Sequence, residues 1–208
     1  MNIIITAGPT HEPIDPVRYI GNRSSGQMGA ALASAALDAG HRVRLILGAV
    51  SAAMPAGAGR IEVKTAAQMN EAVLREFPAH DLLIMAAAVA DYRPIQVRQE
   101  KLARAGNLVI ECEPTEDIVA AAGRIKQPNQ RTIGFSLESR GDLERSRQKL
   151  GRKNLDLIVY NPIDTMNSAT IEATLLWPDG SSEELRSRSK KDFAAILVAR
   201  AAELFAST

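Results

Sequence analysis

Short apolar strand signals alternate with helical stretches along this chain, a cadence that predicts an α/β fold with a mostly parallel sheet inside a three-layer sandwich. Two observations carry the parallel character. Residues 2–6 and 81–85 read as buried strands, and consecutive strands are separated by helix-length segments, as right-handed crossovers require. The organisation is Rossmann-like, and no linker is long enough to divide it, so the chain reads as one domain over 1–208.

The first strand leads into a loop stiffened by Pro13 and Pro16. Residues 26–39 are rich in Ala, with Met28, Leu32, Ala36 and Ala39 near helical spacing, and Gly40 sits where a C-cap would. A strand at 41–47, a small-residue loop and a short strand at 61–63 precede a helix over 66–77 that Pro78 terminates. After the strand at 81–85 the cadence breaks, because 96–98 and 107–112 read as extended around a charged connection at 100–105. That predicts an extended β arm leaving the main sheet, of the kind that pairs with a second subunit. Thr115 is placed to cap a helix carrying Glu116 and Asp117 in its first turn. A strand at 132–137, a helix at 141–151 and a last parallel strand at 155–160 follow. Residues 170–177 and 183–186, joined through Pro178-Asp179-Gly180, predict a C-terminal β-hairpin, and 190–205 a closing amphipathic helix.

Composition narrows function by exclusion. Hydrophobic residues make up 46% of the 208 and charged residues 24%, so a sizeable core is available and disorder is not expected. Lys and Arg total 25 against 24 Asp and Glu, and a net charge of +1 gives no general reason to expect nucleic acid or a membrane as partner. The longest apolar run, 82–90, is too short to span a bilayer, and the N-terminus has no basic leader followed by an apolar core. The single cysteine, Cys112, cannot form an intrachain disulfide, so the chain reads as cytoplasmic. Its place in an alternating stretch makes Cys112 a buried small hydrophobe. His11, His41 and His80 are too scattered to argue for a zinc site, and no protein-held metal is expected.

The stretch with chemical character is 3–29. A strand, a stiff loop and a helix opening on Asn22-Arg23-Ser24-Ser25-Gly26-Gln27-Met28-Gly29 bring small residues to a helix start, whose unpaired N–H groups and partial positive charge suit a phosphate. Ser and Gly also open many helices that bind nothing, and neither a tight Gly-x-Gly-x-x-Gly turn nor a Walker A pattern occurs. Ligands of parallel sheets gather at C-terminal strand ends. The loops at 6–22 and 86–94 both fall there, so they could face one another.

Four motifs, in order over nearly the whole chain, resemble phosphopantothenoylcysteine synthetase, the coenzyme A enzyme that joins phosphopantothenate to cysteine while consuming a nucleoside triphosphate. They are Asp15-Pro16-Val17-Arg18 running on through Asn22 to Gly29; Ala87-Ala88-Val89-Ala90-Asp91-Tyr92-Arg93-Pro94 with Glu100-Lys101-Leu102 behind it; Gly134-Phe135-Ser136-Leu137-Glu138; and Arg147-Gln148-Lys149 with Arg152-Lys153-Asn154-Leu155-Asp156. The resemblance implies a ligase of the bacterial branch, using CTP rather than ATP. The carboxylate of 4′-phosphopantothenate attacks the α-phosphate to give an acyl-cytidylate and pyrophosphate, and the amine of L-cysteine then displaces CMP. It further implies Mg²⁺ arriving with the nucleotide and a homodimer formed through the arm, with parts of the pantothenate site crossing the interface. The flavin-dependent decarboxylase often fused in front of this synthetase has no counterpart here, so no flavin is expected.

The same resemblance assigns residues. Its catalytic candidates are Asn22, an amide able to donate to an acyl or phosphate oxygen while accepting from an amine; Arg18, able to grip an anion with two bonds; and Lys101, able to neutralise a triphosphate. On their own chemistry these three also read as a helix cap, a solvated loop arginine and an exposed lysine. Ser24, Ser25 and Gly26 would give backbone donors to phosphate, and Gly8, Ala87, Ala88 and Asp91 would add nucleotide contacts, Asp91 through base or ribose. Asp91 is otherwise a turn aspartate. Thr115, Glu116, Asp117, Ile118, Val119 and Phe135 would line the base pocket, Phe135 reading equally as core. Lys149 and Lys153 are one helical turn apart and share a face, which is either a nucleotide contact or a solvated surface.

Two places depart from the family pattern. Lys101 is followed by Leu102, Ala103 and Arg104 where further lysines are usual, and in Pro114-Thr115-Glu116-Asp117-Ile118-Val119 the Thr stands for Asn and the Glu for Pro. Two other readings remain. An NAD(P)-dependent oxidoreductase lacks support from the missing glycine turn, the lack of an acidic residue near Leu47 and Gly48, and the absence of a Tyr-x-x-x-Lys pair. A non-catalytic nucleotide-binding dimer would bind nucleotide without releasing pyrophosphate.

Overall fold

A computed structural model describes residues 1–139, 142–163 and 170–206. The chain begins with β1 (Asn2–Ala7), a small hairpin of β2 (His11–Pro13) and β3 (Tyr19–Gly21), α1 (Gln27–Asp38), β4 (Arg42–Leu47) and β5 (Gly59–Glu62). It continues through α2 (Ala66–Glu76), β6 (Leu82–Met85), β7 (Tyr92–Pro94), β8 (Cys112–Pro114) and α3 (Ile118–Ile125). It ends with β9 (Arg131–Glu138), α4 (Leu143–Arg152), β10 (Leu157–Pro162), β11 (Thr170–Leu176), β12 (Ser182–Ser189) and α5 (Lys190–Glu203).

Eight strands form one sheet in the order β12-β11-β10-β9-β6-β1-β4-β5. Six of them, β5-β4-β1-β6-β9-β10, are parallel, and β11 and β12 add an antiparallel hairpin at one edge. The parallel core reverses direction of growth between β1 and β6, which is the crevice where such sheets receive ligands. The Rossmann-like expectation is therefore met, hairpin included.

Side-chain alternation along β1 explains the three layers. Ile3 and Ile5 pack into one core with Leu32 and Ala36 of α1 and Phe193 and Leu197 of α5. Ile4 points the other way, into a second core with Met69 and Val73 of α2, Phe77, and Ile118 of α3. All three isoleucines are fully buried, so β1 reads as a continuous apolar run rather than an alternating one. α2 has the capping box its sequence encodes, Thr65 accepting from the Gln68 N–H while Gln68 reaches back to the Thr65 N–H. Pro78 lies in the short 3₁₀ turn that follows.

Three expectations need correction. The arm contains only two three-residue strands, β7 and β8, paired antiparallel; neither 96–98 nor 107–112 forms the predicted strand, beyond Cys112 itself. Val97, Leu108 and Val109 stand exposed, and isolated backbone bonds without an apolar surface to cover do not make a strand. Cys112, expected in a buried strand, is consequently only partly buried, at the start of β8. α3 starts later than expected because Asp117, not Thr115, caps it: the Asp117 carboxylate accepts from the Ala120 N–H, whereas the Thr115 hydroxyl donates to the Ala90 carbonyl at 2.6 Å. The expected start of α4 at Gly141 lies outside the described residues. None of the described helices is long and apolar enough to cross a membrane.

Glycine matters most at the join of α1 to β1. A Cβ at Gly29 would lie 2.3 Å from the Cβ of Ala7, so only a hydrogen lets the helix start approach the strand tip. Overpacking of this kind costs about 1–3 kcal/mol, and Gly29→Ala is expected to lower the urea midpoint accordingly; an unchanged midpoint would show that the helix can withdraw freely.

Candidate functional site

The tips of β1 and β6 are stapled together by hydrogen bonds that the loop residues Thr6, Gly8 and Thr10 supply. Ala88 N–H donates to the Gly8 carbonyl at 2.9 Å, and Pro9 and Ala88 form an isolated parallel bridge. The Thr6 hydroxyl accepts from the Ala87 N–H at 3.1 Å and the Thr10 hydroxyl from the Ala90 N–H at 2.9 Å. Both threonines are fully buried, so these bonds also satisfy amides that would otherwise be orphaned.

Above this join lies a cleft of about 950 Å³, floored by the C-terminal ends of β6 and β9 and walled by α3 and α4. Twelve of the sequence-derived residues line it. Asn22 comes from the β3–α1 connection; Ala87, Ala88 and Asp91 from the loop after β6; Thr115, Glu116, Asp117, Ile118 and Val119 from the start of α3; Phe135 from β9; and Lys149 and Lys153 from α4 and its end. The two loops expected to face one another do so.

Asn22 is not a helix cap. Its Nδ2 donates to the Val89 carbonyl at 2.8 Å, tying it across to the β6 loop, and α1 opens instead from Gly26 in the left-handed conformation, φ 84°, with no side-chain cap. Two neighbouring carbonyls, Val89 and the more distant Ala88, fix which end of the amide is the donor, so Oδ1 is left as the acceptor. Phe135 lines the cleft and meets Phe193 of the core edge-on at 6.5 Å.

Lys190 lines the cleft as well as Lys149 and Lys153, and Lys149 and Lys153 already hold carboxylates. Lys153 pairs with Asp117 at 3.0 Å, and Lys149 contacts Glu138 closely and reaches the Ser136 hydroxyl at 3.3 Å. Burial by itself would raise the Glu138 carboxyl, but the Lys149 hydrogen bond and charge, with Ser136 and Arg145, outweigh it and hold the group below its ordinary value. Glu116 pairs away from α3's start with Arg124 at 2.9 Å.

Six expected residues do not line the cleft: Gly8, Arg18, Ser24, Ser25, Gly26 and Lys101. Gly8 is part of the staple beneath it. Ser24, Ser25 and Gly26 form the turn before α1, between Arg23 and Met28, which do line it; the Ser25 carbonyl accepts from Ser51 and Ala52. Arg18 is bound to Asp15 at 2.5 Å and to the Leu102 carbonyl at 3.2 Å. Lys101 is exposed on the segment between β7 and β8.

Sequence reasoning missed Arg23, Asn161 and Lys190 as lining residues. Arg23 lay inside the recognised motif and was passed over in favour of its neighbours. Asn161 had a weaker signal, a polar residue closing an apolar strand, where its amide donates to the Glu172 carbonyl at 2.8 Å.

Over residues 1–204 the chain matches the family described as DFP, the DNA/pantothenate metabolism flavoprotein C-terminal domain. It is 40% identical to a protein named cysteine/cysteine sulfinic acid decarboxylase from an unknown prokaryotic organism, covering 94% of this chain and 56% of that one. It is also 40% identical to the coenzyme A biosynthesis bifunctional protein CoaBC of Bacillus subtilis (strain 168), covering 100% of this chain and 52% of the relative. The chain thus spans about half the length of the curated relatives it matches. A crystal structure of the C-terminal domain of coenzyme A biosynthesis bifunctional protein CoaBC is similar to it with a TM-score of 0.87 at 37% identity, covering 100% of this chain and 96% of that one. With sequence and sheet agreeing along the whole length, the chain belongs to the DNA/pantothenate metabolism flavoprotein C-terminal domain family.

Proposed function

We propose that this domain is a phosphopantothenate–cysteine ligase of coenzyme A biosynthesis, working on CTP, 4′-phosphopantothenate and L-cysteine in the cytoplasm. The observation that carries the reading is the cleft itself: one wall presents the Asn22 amide on the stapled strand tips and the other presents Lys149 and Lys153 beside a helix start. A polyanion laid between them meets positive charge along its length. The likeness of the whole chain to a CoaBC C-terminal domain supports the same assignment.

In the first step the pantothenate carboxylate attacks the α-phosphorus and the bond to pyrophosphate breaks. In the second the cysteine amine attacks the acyl carbon, loses a proton and expels CMP. Neither step asks for a side-chain nucleophile; both ask for positioned charge and donors. Lys149 and Lys153 exchange Glu138 and Asp117 for phosphate oxygens, and α3 offers its N-terminal N–H groups nearby. Asn22, with its NH₂ held by Val89, turns Oδ1 toward the incoming amine and orients it. Mg²⁺ enters as part of the nucleotide substrate, since magnesium keeps phosphate oxygens and waters as ligands and needs few from protein.

We further propose a homodimer. Val17, Tyr19, Tyr92, Ile95, Val97 and Val109 are exposed on the β2–β3 hairpin and the arm beside it, a concentration of apolar surface that a second copy would cover. An Arg18 and a Lys101 lying outside their own cleft fit a pantothenate site completed across that interface.

The decisive assay is pyrophosphate release from CTP with phosphopantothenate and Mg²⁺, without and then with cysteine. Release followed by CMP and amide product is expected; nucleotide binding with no release would leave a binding module. Titration calorimetry is expected to give tighter binding for CTP than for ATP. Asn22→Asp sets a carboxylate oxygen against the Val89 carbonyl, and turnover is expected to fall by about 10²–10³, equivalent to about 3 kcal/mol, in line with loss of an oriented polar group at a reacting centre. Full coupled activity in that variant would remove Asn22 from the mechanism.

A further inference from the structure

We propose that Asp15 is a positioning residue: one carboxylate oxygen builds the turn at the tip of the β2–β3 hairpin, and the other fastens the Lys101-bearing segment to that turn. The inference rests on the ligase reading for its catalytic consequence, and on geometry alone for the attachment.

The two oxygens divide their work. Oδ1 accepts from the Val17 and Arg18 N–H groups, both at 2.8 Å, an Asx-type turn closed by Ile14 N–H to the Arg18 carbonyl at 2.9 Å. Oδ2 accepts from the Arg18 guanidinium at 2.5 Å and from the Leu102 N–H at 3.1 Å. Arg18 completes the ring by donating to the Leu102 carbonyl at 3.2 Å. A second tie lies four residues earlier, where the Arg98 N–H donates to the Ile14 carbonyl at 2.9 Å. Lys101 is thus bracketed by anchors at 98 and 102, both on one hairpin tip.

An Asx turn needs only one acceptor, which an Asn provides. The second oxygen is what makes a carboxylate necessary here, and its partners are Arg18 and Leu102 alone among the described residues. The Asp15 side chain is wholly out of solvent. Burial favours its neutral form, yet the backbone N–H groups of Val17, Leu102 and Arg18, and then the Arg18 guanidinium, outweigh burial and hold the carboxyl at about 2. A charge is therefore kept at a buried point whose only distant contact is the segment carrying Lys101.

Consequently the hairpin is a strut. Its tip sets where Lys101 is held, and its other end, about 13 Å along β3 by strand rise, leads into Asn22. Anchoring the segment at two points removes conformations that the ammonium would otherwise explore, which is how a remote residue raises turnover without touching substrate.

The test uses the full chain with Asp15→Asn. Its Oδ1 still serves Val17 and Arg18, but its NH₂ now faces the Leu102 N–H and the guanidinium, donor against donor. Amide hydrogen exchange is expected to quicken at Leu102 by about tenfold or more, with Val17 and Arg18 staying protected. In the coupled assay kcat is expected to fall about tenfold at a KM for CTP within about twofold of wild type, and the same substitution in a Lys101→Ala background to cost less than about twofold. Unchanged exchange at Leu102, or an equal loss of kcat in both backgrounds, would overturn the proposal. Should Asp15→Asn not fold, Leu102→Pro removes the same N–H while leaving Asp15 intact and is read in the same cycle. A wild type with no ligase turnover would sink the ligase reading; exchange at Leu102 would still decide whether Asp15 holds the segment.

Discussion

The cross-link between the β1 and β6 tips is the constraint on which the site depends. At a point of reversal the connections that leave two neighbouring parallel strands run to opposite faces of the sheet, and a crevice opens between them. Here Thr6, Thr10, Gly8 and Asn22 draw the two loops together through four separate hydrogen bonds, so the floor of the cleft is rigid backbone rather than mobile side chain. Both threonines are fully buried, Thr6 near the end of β1, whose Ile3, Ile4 and Ile5 pack into the two cores of the sandwich. Position at the chemical end is thereby inherited from packing at the structural end.

Electrostatics follows a related economy. Cations half withdrawn from water are unfavourable when alone. Lys149 and Lys153 are each matched by a carboxylate on a neighbouring element, Glu138 on β9 and Asp117 at the cap of α3. The pairs offset these two charges and hold both ammonium groups in place. Anions entering the cleft replace one charged partner by another, so the net gain is smaller than two bare lysines would give and more dependent on geometry.

The sheet was legible in the sequence because its signals are local: unbroken apolar strands, helix-length crossovers and a closing hairpin each sit in contiguous residues. The motif residues that line the cleft were legible for a different reason, the order and spacing of four recognisable stretches. What the sequence did not reveal was competition. Thr115 and Asp117 are both good caps, and which one serves depends on the Ala90 carbonyl, which lies across the loop and claims the threonine hydroxyl. That Arg18 also reaches the Leu102 carbonyl, 84 residues along the chain, was equally invisible in the sequence. The arm misled because alternation predicts strands only where a neighbouring surface exists to hide one face, and 95–111 lacks such a surface within its own chain.

The outer strand of the sheet has a bearing on assembly. β12 ends the sheet with one backbone edge unpaired, the usual invitation to chain-to-chain growth. It carries Glu183, Glu184, Arg186 and Arg188, and its ladder with β11 is irregular, with Ser187 at a positive φ of 49° near the far end. A neighbouring molecule offered this edge would meet charge and a kink in place of a straight template. Indefinite stacking is thus discouraged at the longer border of the sheet among the described residues.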